Sequence, residues 1–233
     1  RLALFAIFVS SSSATAIALS LGQTTFLVLF GVCLYISAWL DGSRAKMTLA
    51  LFLVLLKPNV GLIFLALLVS NRHWWKSVGY SALAIVLCSI PGILPFGMSS
   101  VIFGYLEQIS FFDTLKTNAP YSTIGMRNLA NLLLGVDLPT KFLSLTGAAT
   151  AFFLGLWSSR SQVNTSGVTE ICIVLTMIFV VLSLHTYDLF LIAPLILLSA
   201  GLNKWMQVVT IIVILIVFRV NNLAELSGLV HPK

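Results

Sequence analysis

Charged side chains are scarce in this chain. Only 9% of its 233 residues are Asp, Glu, Lys or Arg, whereas 59% are hydrophobic and the mean hydropathy is +1.06. So few polar groups cannot cover the surface of a soluble globule. Several uncharged runs approach or exceed the ~20 residues that cross hydrocarbon as a helix. The composition therefore predicts an all-α protein, a bundle of helices that crosses a membrane several times.

Recognisable patterns for metals, nucleotides and nucleophiles are also missing. The three cysteines lie in apolar runs without CxxC or Cys/His spacing, and no nucleotide-binding loop or Ser/His/Asp signature is present. We therefore expect no metal site, no cofactor and no direct use of a nucleotide sugar. The net charge of +6 is scattered between apolar segments, which indicates membrane topology and no nucleic-acid partner.

The organisation is that of one domain. We interpret residues 1–233 as a single transmembrane domain and, because the first residue is Arg1 and no cleavable signal precedes it, we expect further N-terminal helices upstream. The long polar-bearing segment 97–141 is predicted to be a loop on the outer face. Its first part has apolar residues at helical spacing, which favours an amphipathic helix lying in the membrane interface.

The apolar run from 47 to 70 is interrupted at its midpoint by Lys57 and Pro58. A single span here would place the basic links 41–46 and 71–76 on opposite sides of the membrane, against the cytoplasmic bias of Lys and Arg. Proline removes a backbone donor and disfavours helix at the preceding residue, so the run divides into two arms of ~17 Å. We predict a re-entrant helical hairpin with Lys57 at its tip.

A lysine at that depth has two interpretations. It binds an anionic group near the membrane boundary, or it extends to the nearer headgroups or pairs with an acid for structural reasons. The central position of Lys57 in the run favours anion binding. Asn59, beside the tip, is expected to line the same cavity.

Further candidates lie on the expected outer face. His185 and Asp188 share a face if their turn is helical, and Tyr187 adds a hydroxyl group between them. The Asp188 carboxylate has two interpretations: it acts as a general base, or it only caps the next helix. The guanidinium fork of Arg127 is suited to binding a phosphate. The alternative is that Arg127 is an ordinary interfacial arginine without a binding role. Gln23 lines the cavity or simply starts a helix.

The order of these elements resembles glycosyltransferase family 87, a group of membrane enzymes in the GT-C superfamily. The resemblance covers about residues 15 to 200 and depends on "GQ" opening a span, "KPNVGL", "NRHWW", "FG", the outer segment with Ser122 and Arg127, and "YDLFLIAP". The Lys-Pro-x-x-Gly and Tyr-Asp segments are its most specific parts. It implies a GT-C type bundle in a bacterial inner membrane.

The resemblance also implies transfer of a hexose from a polyprenyl-phosphate-sugar donor to a lipid or glycan hydroxyl, and mannose is the first candidate for the hexose. Lys57 and Arg127 would bind the donor phosphate, Asp188 and His185 would be catalytic, and Gln23, Asn59, Ser122 and Tyr187 would line the cavity. The family's usual catalytic aspartate lies in a first outer loop that has no counterpart here, so either the base belongs to a missing N-terminal part or Asp188 takes its place. The alternatives are a multi-pass transporter or lipid flippase, and a noncatalytic scaffold.

Overall fold

A computed structural model describes residues 24–104, 125–160, 167–182 and 191–199, together with positions 107, 204, 205, 207, 208 and 212. Within these ranges the fold is all-α and contains no strand, as the composition predicts. Residues 98–104 are helical too. The numbered helices are α1 Thr25–Asp41, α2 Arg44–Val54, α3 Pro58–Val69, α4 Trp75–Phe96, α5 Met126–Leu134, α6 Thr140–Arg160, α7 Gly167–Val181 and α8 Ile192–Ser199.

Helices α1 and α2 form an antiparallel pair joined by a tight turn. The Ser43 amide donates to the carbonyl of Ala38, which closes the end of α1. Gly31 on α1 lies directly against Leu53 and Val54 near the end of α2, so the two helices approach closely. Their facing side chains form the main part of the buried core, which contains Val28, Val32, Tyr35, Met47, Leu51 and Val54.

The chain turns sharply between α2 and α3. The amide of Lys57 donates to the carbonyl of Val54 at 3.2 Å, and Pro58 occupies the first turn of α3, where its missing donor costs nothing. Gly61 packs against this turn so closely that a Cβ atom there would lie 2.7 Å from Leu55 Cα. The turn is therefore compact, and α3 starts in contact with the end of α2.

Helix α4 runs parallel to α2 and begins beside it. Ser77 Oγ donates to the Arg44 carbonyl at 3.1 Å, and one turn further Ser81 Oγ donates to the Thr48 carbonyl at 2.8 Å. Because two parallel helices start together, α3 must return the chain to the level at which α2 began. The reversal of direction that the sequence predicts at Lys57 is present.

This reversal gives the bundle two distinct ends. The basic links 41–46 and 71–76 meet at one end, where the rings of Trp39 and Trp74 stack with centroids 5.8 Å apart. We call it the link end. The opposite end carries the turn at Lys57 and is called the tip end.

Helix α6 packs alongside α3 in the same direction. Gly147 faces Ile63, and further along Gly155 faces the Leu67 carbonyl. Helix α6 therefore starts at the tip end and finishes at the link end. Gly147 also faces Val181, so the last turn of α7 lies against the first half of α6.

One helix in the described part of the chain is both long and apolar enough to cross a bilayer. It covers Arg72–Phe96, 25 residues with a mean hydropathy of 1.8, and most of its surface is not covered by the rest of the protein. Helices α1 and α3 are apolar but shorter. The described residues thus establish an all-helical fold, and a GT-C bundle with several crossings stays a prediction.

Candidate functional site

Basic residues from separate parts of the chain lie at the tip end. Lys57 is half-buried at the position immediately before α3. Lys141 is exposed in the first turn of α6. Helices α3 and α6 are parallel, and Ile63 of α3 faces Gly147 of α6. Lys57 precedes Ile63 by the same number of residues as Lys141 precedes Gly147. The two lysines therefore lie at about the same level along the bundle.

Arg127 lies in the first turn of α5 and is only 5% exposed. Its Nε donates to Asp137 Oδ1 at 2.7 Å, and its Nη2 donates to Asp137 Oδ2 at 3.0 Å. Its Nη1 donates to Thr140 Oγ1 at 3.2 Å, which links the pair to the start of α6. Arg127 thus joins α5 to α6 across the intervening loop at the tip end.

The local sequence explains how Asp137 comes back to Arg127. Gly135 ends α5 in the left-handed conformation with φ of 64°, which glycine adopts without strain, and its amide donates to the Asn131 carbonyl at 3.0 Å. The Pro139 carbonyl then accepts from Leu143 at 3.2 Å at the start of α6. A short loop between two closed helix ends leaves Asp137 opposite the first turn of α5.

The electrostatics of the pair are those of a bidentate contact. The hydrogen bond from Arg127 holds the pKa of Asp137 below its ordinary value, against the opposing effect of partial desolvation. The Asp137 side chain is 51% exposed, so solvent screens part of this attraction. The guanidinium fork that the sequence suggested for a phosphate is engaged by a carboxylate of the same chain.

Asn59 is the other candidate at the hairpin turn. It is half-buried in the first turn of α3, and its Oδ1 accepts a hydrogen bond from the Val60 amide at 3.0 Å. The same amide also donates to the Lys57 carbonyl at 3.0 Å, so its hydrogen bond is shared between the two oxygens. The side-chain oxygen of Asn59 is therefore turned toward the backbone, and its assignment to a cavity wall stays a prediction.

The remaining sequence candidates, Gln23, Ser122, His185, Tyr187 and Asp188, lie outside the described residues. The described chain stops at Leu182, one residue beyond the end of α7, and resumes at Leu191 just before α8. The assignments of His185 and Asp188 to catalysis, and of the other three to the cavity wall, stay predictions from the sequence.

Sequence reasoning missed two residues of the tip end, Asp137 and Lys141. A signal for Lys141 was present, because it opens an apolar run directly after the Pro139-Thr140 boundary and so belongs at a helix start. The signal for Asp137 was Gly135, which marks a helix end and a turn back toward α5. Lys141 stands out only through the parallel packing of α3 and α6, and Asp137 only through its contact with Arg127.

Within the described ranges no three His, Cys, Asp or Glu side chains are grouped so as to hold a metal ion. Comparison of the chain with protein-family models, with curated proteins and with solved structures gives no match.

Proposed function

We propose that this chain belongs to a membrane glycosyltransferase of the family 87, GT-C type. It transfers a hexose, with mannose as the first candidate, from a polyprenyl-phosphate-sugar donor to a lipid or glycan hydroxyl on the outer face of a bacterial inner membrane. The observation that carries the proposal is the position of Lys57. It lies at the turn of a helical hairpin, at the end of the bundle opposite the basic links.

The lengths of the helices support a re-entrant hairpin. Helices α2 and α3 have 11 and 12 residues, a rise of ~17 Å each, whereas the 22 residues of α4 rise ~33 Å. Because α2 and α4 start together at the link end, the hairpin turn comes a little past the midpoint of α4. If α4 crosses the membrane outward from the cytoplasm, Lys57 lies within the outer half of the bilayer.

That depth suits a donor with a polyprenyl tail in the lipid and a phosphate near the interface. An ammonium in a region of low dielectric constant interacts strongly with a phosphate, and the interaction strengthens as negative charge develops on the leaving group. Lys57 supplies this charge in the proposal, and Lys141 adds a second one at the same level. The chain thus contributes stabilisation of the departing polyprenyl phosphate.

The acceptor side of the reaction depends on residues known only from the sequence. A carboxylate takes the proton of the acceptor hydroxyl while the oxygen attacks the anomeric carbon and the phosphate leaves. Asp188 is the candidate within this chain, and His185, three positions earlier in the sequence, is its proposed partner in the proton transfer. Arg127 contributes positive charge to the tip end, with Asp137 as its partner.

The test is sugar transfer in membranes containing the full-length parent protein. Radiolabelled polyprenyl-phosphate-mannose and polyprenyl-phosphate-glucose are supplied to the wild type and to Lys57→Ala, Lys57→Arg and Asp188→Asn. Lys204→Ala, which removes an exposed lysine elsewhere, is the control. We expect transfer to be lost in Lys57→Ala and partly retained in Lys57→Arg, at normal expression.

Three results would change the assignment. Full transfer by Lys57→Ala would remove the phosphate role of Lys57, and full transfer by Asp188→Asn would reduce that carboxylate to a helix cap. A well-folded parent that transfers no sugar from either donor, but accumulates a solute across vesicles, would be a transporter.

A further inference from the structure

The link end carries a cluster of exposed basic side chains that the proposed reaction does not use. Arg44 and Lys46 come from the start of α2, and Arg72 and Lys76 come from the turn and first residues of α4. The hydrogen bond from Ser77 to the Arg44 carbonyl holds these two segments side by side. The four residues Arg44, Lys46, Arg72 and Lys76 are called the basic patch.

Little negative charge offsets the basic patch. Asp41 is the only acidic residue between positions 24 and 104. It forms an ion pair with Lys46, and both side chains are bridged by Ser37, which donates to Asp41 and accepts from Lys46 at 3.2 Å. Within residues 24–104, one carboxylate thus partly neutralises one of the four cations of the patch.

Aromatic side chains lie beside the basic patch. The Trp75 ring is 54% exposed, its Nε1 donates to the Val69 carbonyl at 2.8 Å, and the Arg72 guanidinium lies 5.8 Å from its centroid. Trp74 is buried against Trp39 beneath the surface. An exposed indole anchored at a helix start is typical of the boundary between hydrocarbon and headgroups.

We propose that the basic patch, together with Trp75, is a binding surface for anionic phospholipid headgroups of the leaflet that faces the link end. The inference depends on the membrane location in the proposed function but not on sugar transfer. Lys and Arg clusters next to a membrane-crossing helix attract anionic lipids, and the attraction is screened by salt. Because such lipids contact both the 41–46 link and the 71–76 link, they hold these two segments together at the link end.

The chemistry of the patch favours lipid phosphate over a nucleic acid. Its four cations occupy two short links at the end of an apolar bundle, beside the exposed apolar surface of α4, which includes Leu83, Val86 and Leu87. A phospholipid presents a phosphate and an acyl chain together, so one molecule contacts both the cations and this surface. A nucleic acid would meet the cations but leave the apolar face uncovered.

The experiment uses the full-length parent reconstituted into nanodiscs of phosphatidylcholine alone or of phosphatidylcholine mixed with phosphatidylglycerol. The unfolding temperature, Tm, is measured in both lipids at about 0.05 M and about 0.5 M NaCl, since screening differs strongly between these salts. The quantity compared is the rise in Tm caused by phosphatidylglycerol. Variants are Lys76→Gln and Arg72→Gln/Lys76→Gln, with the exchange Arg72→Lys/Lys76→Arg, which keeps both positive charges, as the matched control.

We expect phosphatidylglycerol to raise the Tm of the wild type at low salt and the rise to shrink at high salt. The single variant should lose part of the rise and the double Gln variant most of it, while the charge-keeping exchange Arg72→Lys/Lys76→Arg retains it. A wild type without the rise, or an equal loss in the control and the patch variants, would overturn the proposal. Absence of sugar transfer together with the expected Tm pattern would overturn only the proposed reaction.

Discussion

Ser77 Oγ donates to the carbonyl oxygen of Arg44 at 3.1 Å, although the two residues belong to separate helices with a complete hairpin between them. The contact fixes the level at which α4 begins relative to α2. It also means that the polar links before these helices lie at one end of the molecule, whichever way the bundle is placed in a bilayer.

The first prediction concerns the side from which the two links are accessible. In a cysteine-free background, Ala45→Cys and His73→Cys should react with a membrane-impermeant maleimide from the same side of sealed vesicles, because both exposed positions lie at the link end. Asn59→Cys at the tip end should not share their labelling pattern. Labelling of Ala45→Cys and His73→Cys from opposite sides would mean a single span from 47 to 70 and no hairpin.

The second prediction concerns the close contact at the hairpin turn. Gly61→Ala should lower the free energy of unfolding by about 1–3 kcal/mol, because its Cβ would meet Leu55 Cα at 2.7 Å and the Val54 carbonyl at 2.9 Å, which are backbone atoms. Gly79→Ala in α4 is the control, since no atom lies within 4 Å of a Cβ there. Thermal unfolding in nanodiscs measures both, and equal stabilities would contradict the close packing.

The third prediction separates two roles for Arg127. If its main function is to pair with Asp137, the exchange Arg127→Asp/Asp137→Arg should recover much of the stability that Arg127→Ala loses. If it binds the donor phosphate, Asp137→Asn should keep sugar transfer and the exchange should abolish it. Hydrogen exchange over residues 135–143 reports the pairing, and radiolabel transfer reports the reaction.

The fourth prediction is a pH dependence that follows from the same pair. The pKa of Asp137 is lower in the folded protein than in the unfolded chain, so its contribution to stability is complete above about pH 4 and is lost as the pH falls through the folded value. The stability difference between wild type and Asp137→Asn should therefore shrink between about pH 6 and about pH 3. A difference that is constant over this range would contradict the ion pair.

Local chain chemistry made the hairpin predictable. Pro58 is favoured in the first turn of a helix, and the cytoplasmic bias of Lys and Arg favoured placing the basic links on either side at the same end of the bundle. These arguments use neighbouring residues and the average behaviour of Lys and Arg. They predicted where the chain turns.

The Arg127 contact was not predictable in the same way. Its partner Asp137 is reached through a loop whose direction is set by the backbone conformation of Gly135, and a guanidinium fork fits a carboxylate as well as it fits a phosphate. The level of Lys141 depends on the packing of Gly147 against Ile63, two residues far apart in the chain. Information of this kind resides in tertiary packing and not in local pattern.

The packing of α3 against α6 has a consequence for how the protein is made. Gly147 and Gly155 are synthesised long after Ile63 and Leu67, so the ribosome delivers the hairpin well before its neighbour exists. During that interval one face of α3 has no protein partner, and contacts between distant parts of a chain form slowly. The packing of α3 is thus completed only after α6 has been synthesised, and a chain truncated before α6 would lack the helix that packs beside the Lys57 turn.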